Sequence, residues 1–106
     1  METLKLDSTN FDSVVNSGTQ PVLVDFYADW CGPCRKQIPV MDEVAQDYAG
    51  KAKIAKINVD EASSKATQFG ISSIPALLLF KDGKIVERMV GLHSKSQLSE
   101  VLDKYL

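Results

Sequence analysis

The chain reads as one α/β domain in which strands and helices alternate in the order β-α-β-α-β-α-β-β-α. Three observations predict this. The segment Pro21 to Ala28 is apolar apart from Asp25 and rich in β-branched and aromatic residues, as an internal strand covered on both faces must be. Helical spacing and further strand runs then alternate along the chain. Units of that kind build a parallel sheet with right-handed crossovers and helices on both faces. Finally, Asp82-Gly83 stands between two strand runs, a hairpin signal that adds an antiparallel edge.

Taken in order, Thr3 to Leu6 is a short strand. Asp7-Ser8-Thr9-Asn10 supplies cap candidates for a helix in which Phe11, Val14 and Val15 have helical spacing, ending at Ser17-Gly18. The Pro21–Ala28 strand follows. A turn at Asp29-Trp30 leads into a helix from about Cys31 to Ala49. Pro33 fits the first turn of that helix, where a missing N–H costs little. Pro39 falls inside and predicts a kink, and Gly50 ends the helix. Ala52 to Val59 is a second internal strand, with Ile57 and Val59 on one face and Ile54 and Lys56 on the other. Glu61 to Phe69 is a helix closed by Gly70. Ala76 to Lys81 and Ile85 to Val90 are the hairpin strands. Ser94-x-x-Gln97 is a capping box that opens the last helix, with Leu98, Val101, Leu102 and Tyr105 on its inner face.

The 106 residues suit one core, since a chain of this length buries only about two-thirds of its unfolded surface. Apolar residues make up 44% and charged residues 25%, and the net charge is −2 with both signs interspersed. No basic block invites nucleic acid or an anionic membrane. The longest near-apolar run, Ile74 to Phe80, is far too short to span a bilayer. Met1-Glu2-Thr3-Leu4-Lys5 lacks the charged and apolar regions of a secretory signal. With two cysteines only, the composition is not that of a disulfide scaffold, and a reducing, cytoplasmic setting is expected.

Those two cysteines stand in Trp30-Cys31-Gly32-Pro33-Cys34. One reading is a structural cross-link, but closing four residues stabilises by only about 2 kcal/mol, against roughly 3 for fifteen. Another is zinc, which needs four ligands where this chain has one cysteine pair and His93. The third is redox chemistry. At a helix N-terminus, unpaired N–H groups and the positive end of the dipole stabilise a thiolate on Cys31. Cys34, one turn on, is near enough to join it. Cys31 is then the exposed nucleophile and Cys34 the shielded resolving thiol. The end of a strand–helix unit is also where open parallel sheets place their sites.

The run Val24-Asp25-Phe26-Tyr27-Ala28-Asp29-Trp30-Cys31-Gly32-Pro33-Cys34-Arg35 resembles the thioredoxin family. The likeness continues in Pro39, in Ala55 to Asp60, in Gly70-Ile71-Ser72-Ser73-Ile74-Pro75, in Phe80-Lys81-Asp82-Gly83 and in Val90-Gly91. A bare C-x-x-C is unspecific. W-C-G-P-C after a buried strand, with Ile-Pro about forty residues on, is specific. The chain departs from the family pattern at Ala76, where threonine is usual after Ile-Pro, at Arg35 for lysine, at Tyr27 for tryptophan and at Leu92 for alanine. The resemblance implies a thioredoxin fold, a five-stranded mixed sheet flanked by four helices, over residues 1–106. It implies a protein-disulfide reductase in which Cys31 attacks a substrate disulfide and Cys34 resolves the mixed disulfide. The Cys31–Cys34 pair is left as a redox-active disulfide, with no metal and no bound cofactor.

Asp25 is costly to bury ionised, so its pKa is expected to be raised. Position alone leaves a structurally satisfied polar group open; the resemblance makes Asp25 the proton acceptor and donor for Cys34. Lys56 breaks the pattern of its strand, either as a solvent-reaching stem or, on the resemblance, as a charge that tunes Asp25. The resemblance makes the Ile74–Pro75 bond cis and packs it on the cysteine pair, where backbone can pair with an extended substrate. Pro75 also offers no metal ligand. Trp30, Gly32, Pro33, Ile74, Gly91 and Leu92 are expected to form an apolar docking rim, although core packing also explains Trp30 and Leu92. His93 is a loop residue with no assigned role. The partners implied are oxidised substrate proteins and a thioredoxin reductase, either an NADPH flavoprotein or a ferredoxin-dependent enzyme, acting on a monomer. An oxidase or isomerase runs the same chemistry backwards, and a binding module uses the rim without turnover; Gly32-Pro33 resembles the reducing branch.

Overall fold

The computed structural model describes residues 3–106. Met1 and Glu2, which head the segment read as lacking signal character, lie outside the described residues. The elements are β1 (Leu4–Leu6), α1 (Phe11–Val15), β2 (Val22–Tyr27), α2 (Gly32–Asp47), β3 (Lys53–Asn58), α3 (Ser63–Gln68), β4 (Ala76–Lys81), β5 (Lys84–Val90) and α4 (Lys95–Asp103). This is the predicted order. The strands form one mixed sheet, β1-β3-β2-β4-β5. β2 is central and every one of its residues is buried.

Strand alternation assigns the two faces. Val24, Phe26, Ile57, Leu78 and Phe80 point to the side covered by α1 and α3. There Phe11, Phe26, Phe69 and Phe80 pack ring against ring at 5.4 to 6.3 Å between centroids. Leu23, Ile54, Leu77 and Leu79 point to the other side, onto Met41 and Val44 of α2 and Leu98 and Leu102 of α4. Asp25 lies on this second face, between Leu23 and Tyr27.

The strand directions differ from the sequence reading in one place. β1, β3 and β2 are mutually parallel, but β4 runs antiparallel to β2. The crossover through α3 therefore does not deliver a parallel strand. The reason lies at Gly70, where φ is +67°. Its N–H bonds to Thr67 O at 3.1 Å and the Ile71 N–H to Ala66 O at 2.8 Å, the paired bonds of a Schellman turn. The turn sends the chain back, and residues 71–75 return it to the end of the sheet where β2 finishes. β4 enters from that end, with Ala76 opposite Phe26.

Local signals were otherwise followed closely. Asp82 and Gly83 both have positive φ, +54° and +77°, as a two-residue hairpin turn requires. α2 is continuous through Pro39. The Asn10 side chain does not cap α1; instead Asp7 Oδ1 accepts the Thr9 and Asn10 N–H groups, and Asn10 Oδ1 accepts from the Asp7 N–H. The turn is thus held by reciprocal side-chain bonds one step before the helix. The capping box of α4 is complete: Ser94 Oγ accepts the Gln97 N–H at 3.2 Å and Gln97 Oε1 accepts the Ser94 N–H at 2.9 Å. Ser94→Ala is expected to lower the stability by about 1 kcal/mol, read as an earlier urea midpoint at unchanged slope.

Candidate active site

β2 ends at Tyr27, and Ala28-Asp29-Trp30 turns the chain into α2. Cys31 is the N-cap of that helix, in extended conformation (φ −89°, ψ 114°), with its N–H on Ala28 O at 3.2 Å. Its sulfur accepts the Cys34 N–H at 3.2 Å. A sulfur in that place receives one of the donors that a helix start leaves unpaired, and it faces the positive end of the dipole. Pro33, in the first turn, costs the helix no bond there.

Cys31 and Cys34 are joined as a disulfide, their Cα atoms 5.2 Å apart. Cys31 was expected to be exposed. It retains only 5% of its surface, and Cys34 retains none. Two things cover Cys31. Its sulfur is turned inward onto Cys34, and the Ile74 carbonyl oxygen lies 3.8 Å away. Tyr27, Ala28, Ile38, Val59 and Ile74 complete the apolar shell. The two cysteines remain unequal: Cys31 keeps a small exposed fraction and Cys34 keeps none.

Asp25 is fully buried, and neither carboxylate oxygen has a hydrogen-bond partner among the described residues. Burial pushes its pKa up to about 7, while the positive charge of Lys56 pulls the other way. That opposition follows from register, since Asp25 sits directly across from Lys56 in the β2–β3 ladder. Lys56 is half-buried, and its ammonium lies 6.0 Å from the centre of the Tyr27 ring. Tyr27 belongs to the shell of the cysteine pair and shares a face with Asp25. The strand thus places the uncompensated carboxyl on the α2 side of the sheet, one alternation below that shell.

A groove of about 620 Å³ opens beside the pair. Gly32 and Pro33 line it from the start of α2, Ile74 and Pro75 from the approach to β4, and Gly91 and Leu92 from the end of β5. The Ile74–Pro75 bond is cis, and the Gly91 N–H donates to Pro75 O at 2.8 Å, carrying the β4–β5 pairing up to the groove. Trp30 does not line the groove. It is 69% exposed and its indole N–H donates to Asp60 Oδ2 at 2.8 Å. Leu92 is 49% exposed, so neither residue is core packing. The remaining wall is cationic, Arg35 and Lys36. In the sequence Arg35 stands out only as a departure from the family pattern, and Lys36 not at all. Their spacing of three and four residues from Gly32 was the available signal, since such positions share a helix face. Among the described residues no three His, Cys, Asp or Glu side chains gather as a metal cage. No helix among them is long and apolar enough to cross a membrane.

The family model described as thioredoxin matches residues 2–104. Curated thioredoxins from Staphylococcus aureus strains Mu50, MW2 and COL are each 51% identical to this chain over 106 residues, covering 100% of both chains.

Proposed function

This chain belongs to the thioredoxin family and is a protein-disulfide oxidoreductase, and from that premise we propose how its residues carry the reaction. The observation that supports the assignment of roles is the asymmetric pair. Cys31 caps α2 with a backbone N–H aimed at its sulfur and keeps a small exposed fraction; Cys34 is sealed. In the reduced protein the Cys31 thiolate attacks one sulfur of a substrate disulfide. A Cys31–substrate disulfide forms, the substrate's own bond breaks, and one substrate thiolate leaves. Cys34 loses its proton to Asp25 and attacks Cys31 Sγ. The second substrate thiolate departs, and two electrons have passed from the dithiol to the substrate. Lys56 moderates the affinity of Asp25 for that proton.

In this reading the substrate is an extended segment around a protein disulfide. It lies in the groove of Gly32, Pro33, Ile74, Pro75, Gly91 and Leu92, with Arg35 and Lys36 at one side, and its backbone pairs beside Pro75. All 106 residues act as one domain, a cytoplasmic monomer. Substrate proteins and a thioredoxin reductase are the partners that the family implies. The electrons reach that reductase from NADPH through a flavin, or from ferredoxin.

The direction of flow is tested by equilibration with glutathione. The protein is expected to stand mostly as the disulfide in a mixed glutathione buffer, because a reductant has the lower potential. A pair that stays mostly reduced in that buffer would make the chain an oxidase or isomerase instead. Activity itself is read by insulin reduction with dithiothreitol as electron source, followed as turbidity; no acceleration over dithiothreitol alone would leave a binding module.

A further inference from the structure

Gln37 is fully buried on α2, one turn past Cys34. It interrupts a stripe that is otherwise apolar: Cys34, Met41, Val44 and Ala45 are the other buried residues of that helix. A buried amide at such a position must find partners or destabilise the fold. Here both ends of the amide find the same residue. Gln37 Nε2 donates to His93 O at 3.0 Å, and the His93 N–H donates to Gln37 Oε1 at 2.8 Å. A third contact runs from Nε2 to Met41 Sδ at 3.7 Å. The His93 ring Nδ1 lies 2.8 Å from Gly91 O, and the Gly91 N–H is held by Pro75 O.

One chain of bonds therefore runs from the active-site helix through Gln37 and His93 to Gly91 and on to Pro75. It spans the groove walls contributed by α2, by the turn after β5 and by the approach to β4. The loop that presents Gly91 and Leu92 stands across the groove from the start of α2, at a distance that some contact must set, and Leu92 itself is exposed. The paired amide bonds supply that distance. A two-point grip also sets orientation, which one hydrogen bond leaves free.

We propose that Gln37 is a positioning residue for substrate docking, setting the Gly91–Leu92 wall of the groove against the Cys31 end of α2. This rests on the reading of that groove as the docking surface. The hydrogen bonds of Gln37 go to His93 and Met41 and to neither cysteine, so its effect is confined to partners large enough to span the groove. A small disulfide needs only the Cys31 edge.

The test compares two electron acceptors. The reduced protein and its Gln37→Met variant are mixed with insulin and, separately, with bis(hydroxyethyl) disulfide, and second-order rates are measured. Methionine keeps the length and apolar bulk but releases both His93 bonds. The insulin rate is expected to fall by roughly fivefold to tenfold while the small-disulfide rate stays within about twofold. A parallel loss toward both acceptors, or no loss toward insulin, overturns the proposal. A wild-type protein inert toward insulin would instead overturn the docking reading itself, so the two failures are separate. Should Gln37→Met not fold, hydrogen exchange on the wild-type protein decides. The His93 amide is expected to be protected like a helix-core amide; exchange at the rate of a free loop overturns the clamp.

Discussion

Cys31→Ser is expected to reduce the insulin assay to the rate of dithiothreitol alone. A hydroxyl at that position stays protonated at neutral pH and forms no bond to sulfur, so neither half of the exchange can begin. Cys34→Ser acts differently. The first attack is intact, but nothing buried beneath Cys31 can release the partner. Turnover stops and a covalent complex accumulates, one substrate chain per protein, visible as a mass increase that dithiothreitol reverses. Alkylation of the reduced wild-type protein at neutral pH sharpens the distinction. Cys31 is expected to react faster than an ordinary free thiol, because its sulfur faces the N-terminus of α2, and Cys34 is expected to be protected. An insulin rate unaffected by Cys31→Ser would refute the mechanism, and so would labelling of both sulfurs at equal rates.

The second large effect belongs to Asp25, and it has two signs. Its pKa rises from 3.8 to about 7 on folding, so between those values the native state binds a proton that the unfolded chain has lost. Stability then falls as pH rises through that window and levels off above it. Three units correspond to a change on the order of 4 kcal/mol, a large part of the stability of a small domain. Urea unfolding of the oxidised protein at pH 5 and pH 8 reads the part of that window above pH 5, about 2.7 kcal/mol. Asp25→Asn is expected to flatten the dependence, since an amide carries no proton across this range. The same substitution is expected to slow release of the mixed disulfide, by roughly 10- to 100-fold, at or below the low end of general-base catalysis. Water entering beside the opened disulfide can take the Cys34 proton in its place. A variant that is more stable at pH 8 and slower in single turnover is the combination that marks a functional carboxyl. Greater stability with unchanged release would reduce Asp25 to a structural burden.

Much of this was legible in the primary structure, and for a shared reason. Strand and helix identity, the Ser94–Gln97 capping box, the Asp82-Gly83 hairpin and the placement of Cys31 at a helix start all depend on residues within a few positions of one another. Periodicity and cap chemistry act over that range. Asp25 was legible too, because a lone carboxylate in a doubly covered strand has few ways to remain ionised. Lys56 could be tied to it only through the family likeness, since register belongs to the sheet.

What lay beyond the sequence depended on pairs far apart along the chain. The reversal of β4 turns on how a Schellman bend at Gly70 aims the chain, and Gly70 alone marks an end without a direction. Part of the near-burial of Cys31 comes from Ile74, 43 positions away. The grip of Gln37 on His93 spans 56. The composition and local order of the chain determined that it would be an α/β domain with a reactive cysteine pair at a helix start. Tertiary packing alone decided how much of Cys31 a partner can touch and which wall it meets there, because both are set by surfaces that distant segments complete only on folding.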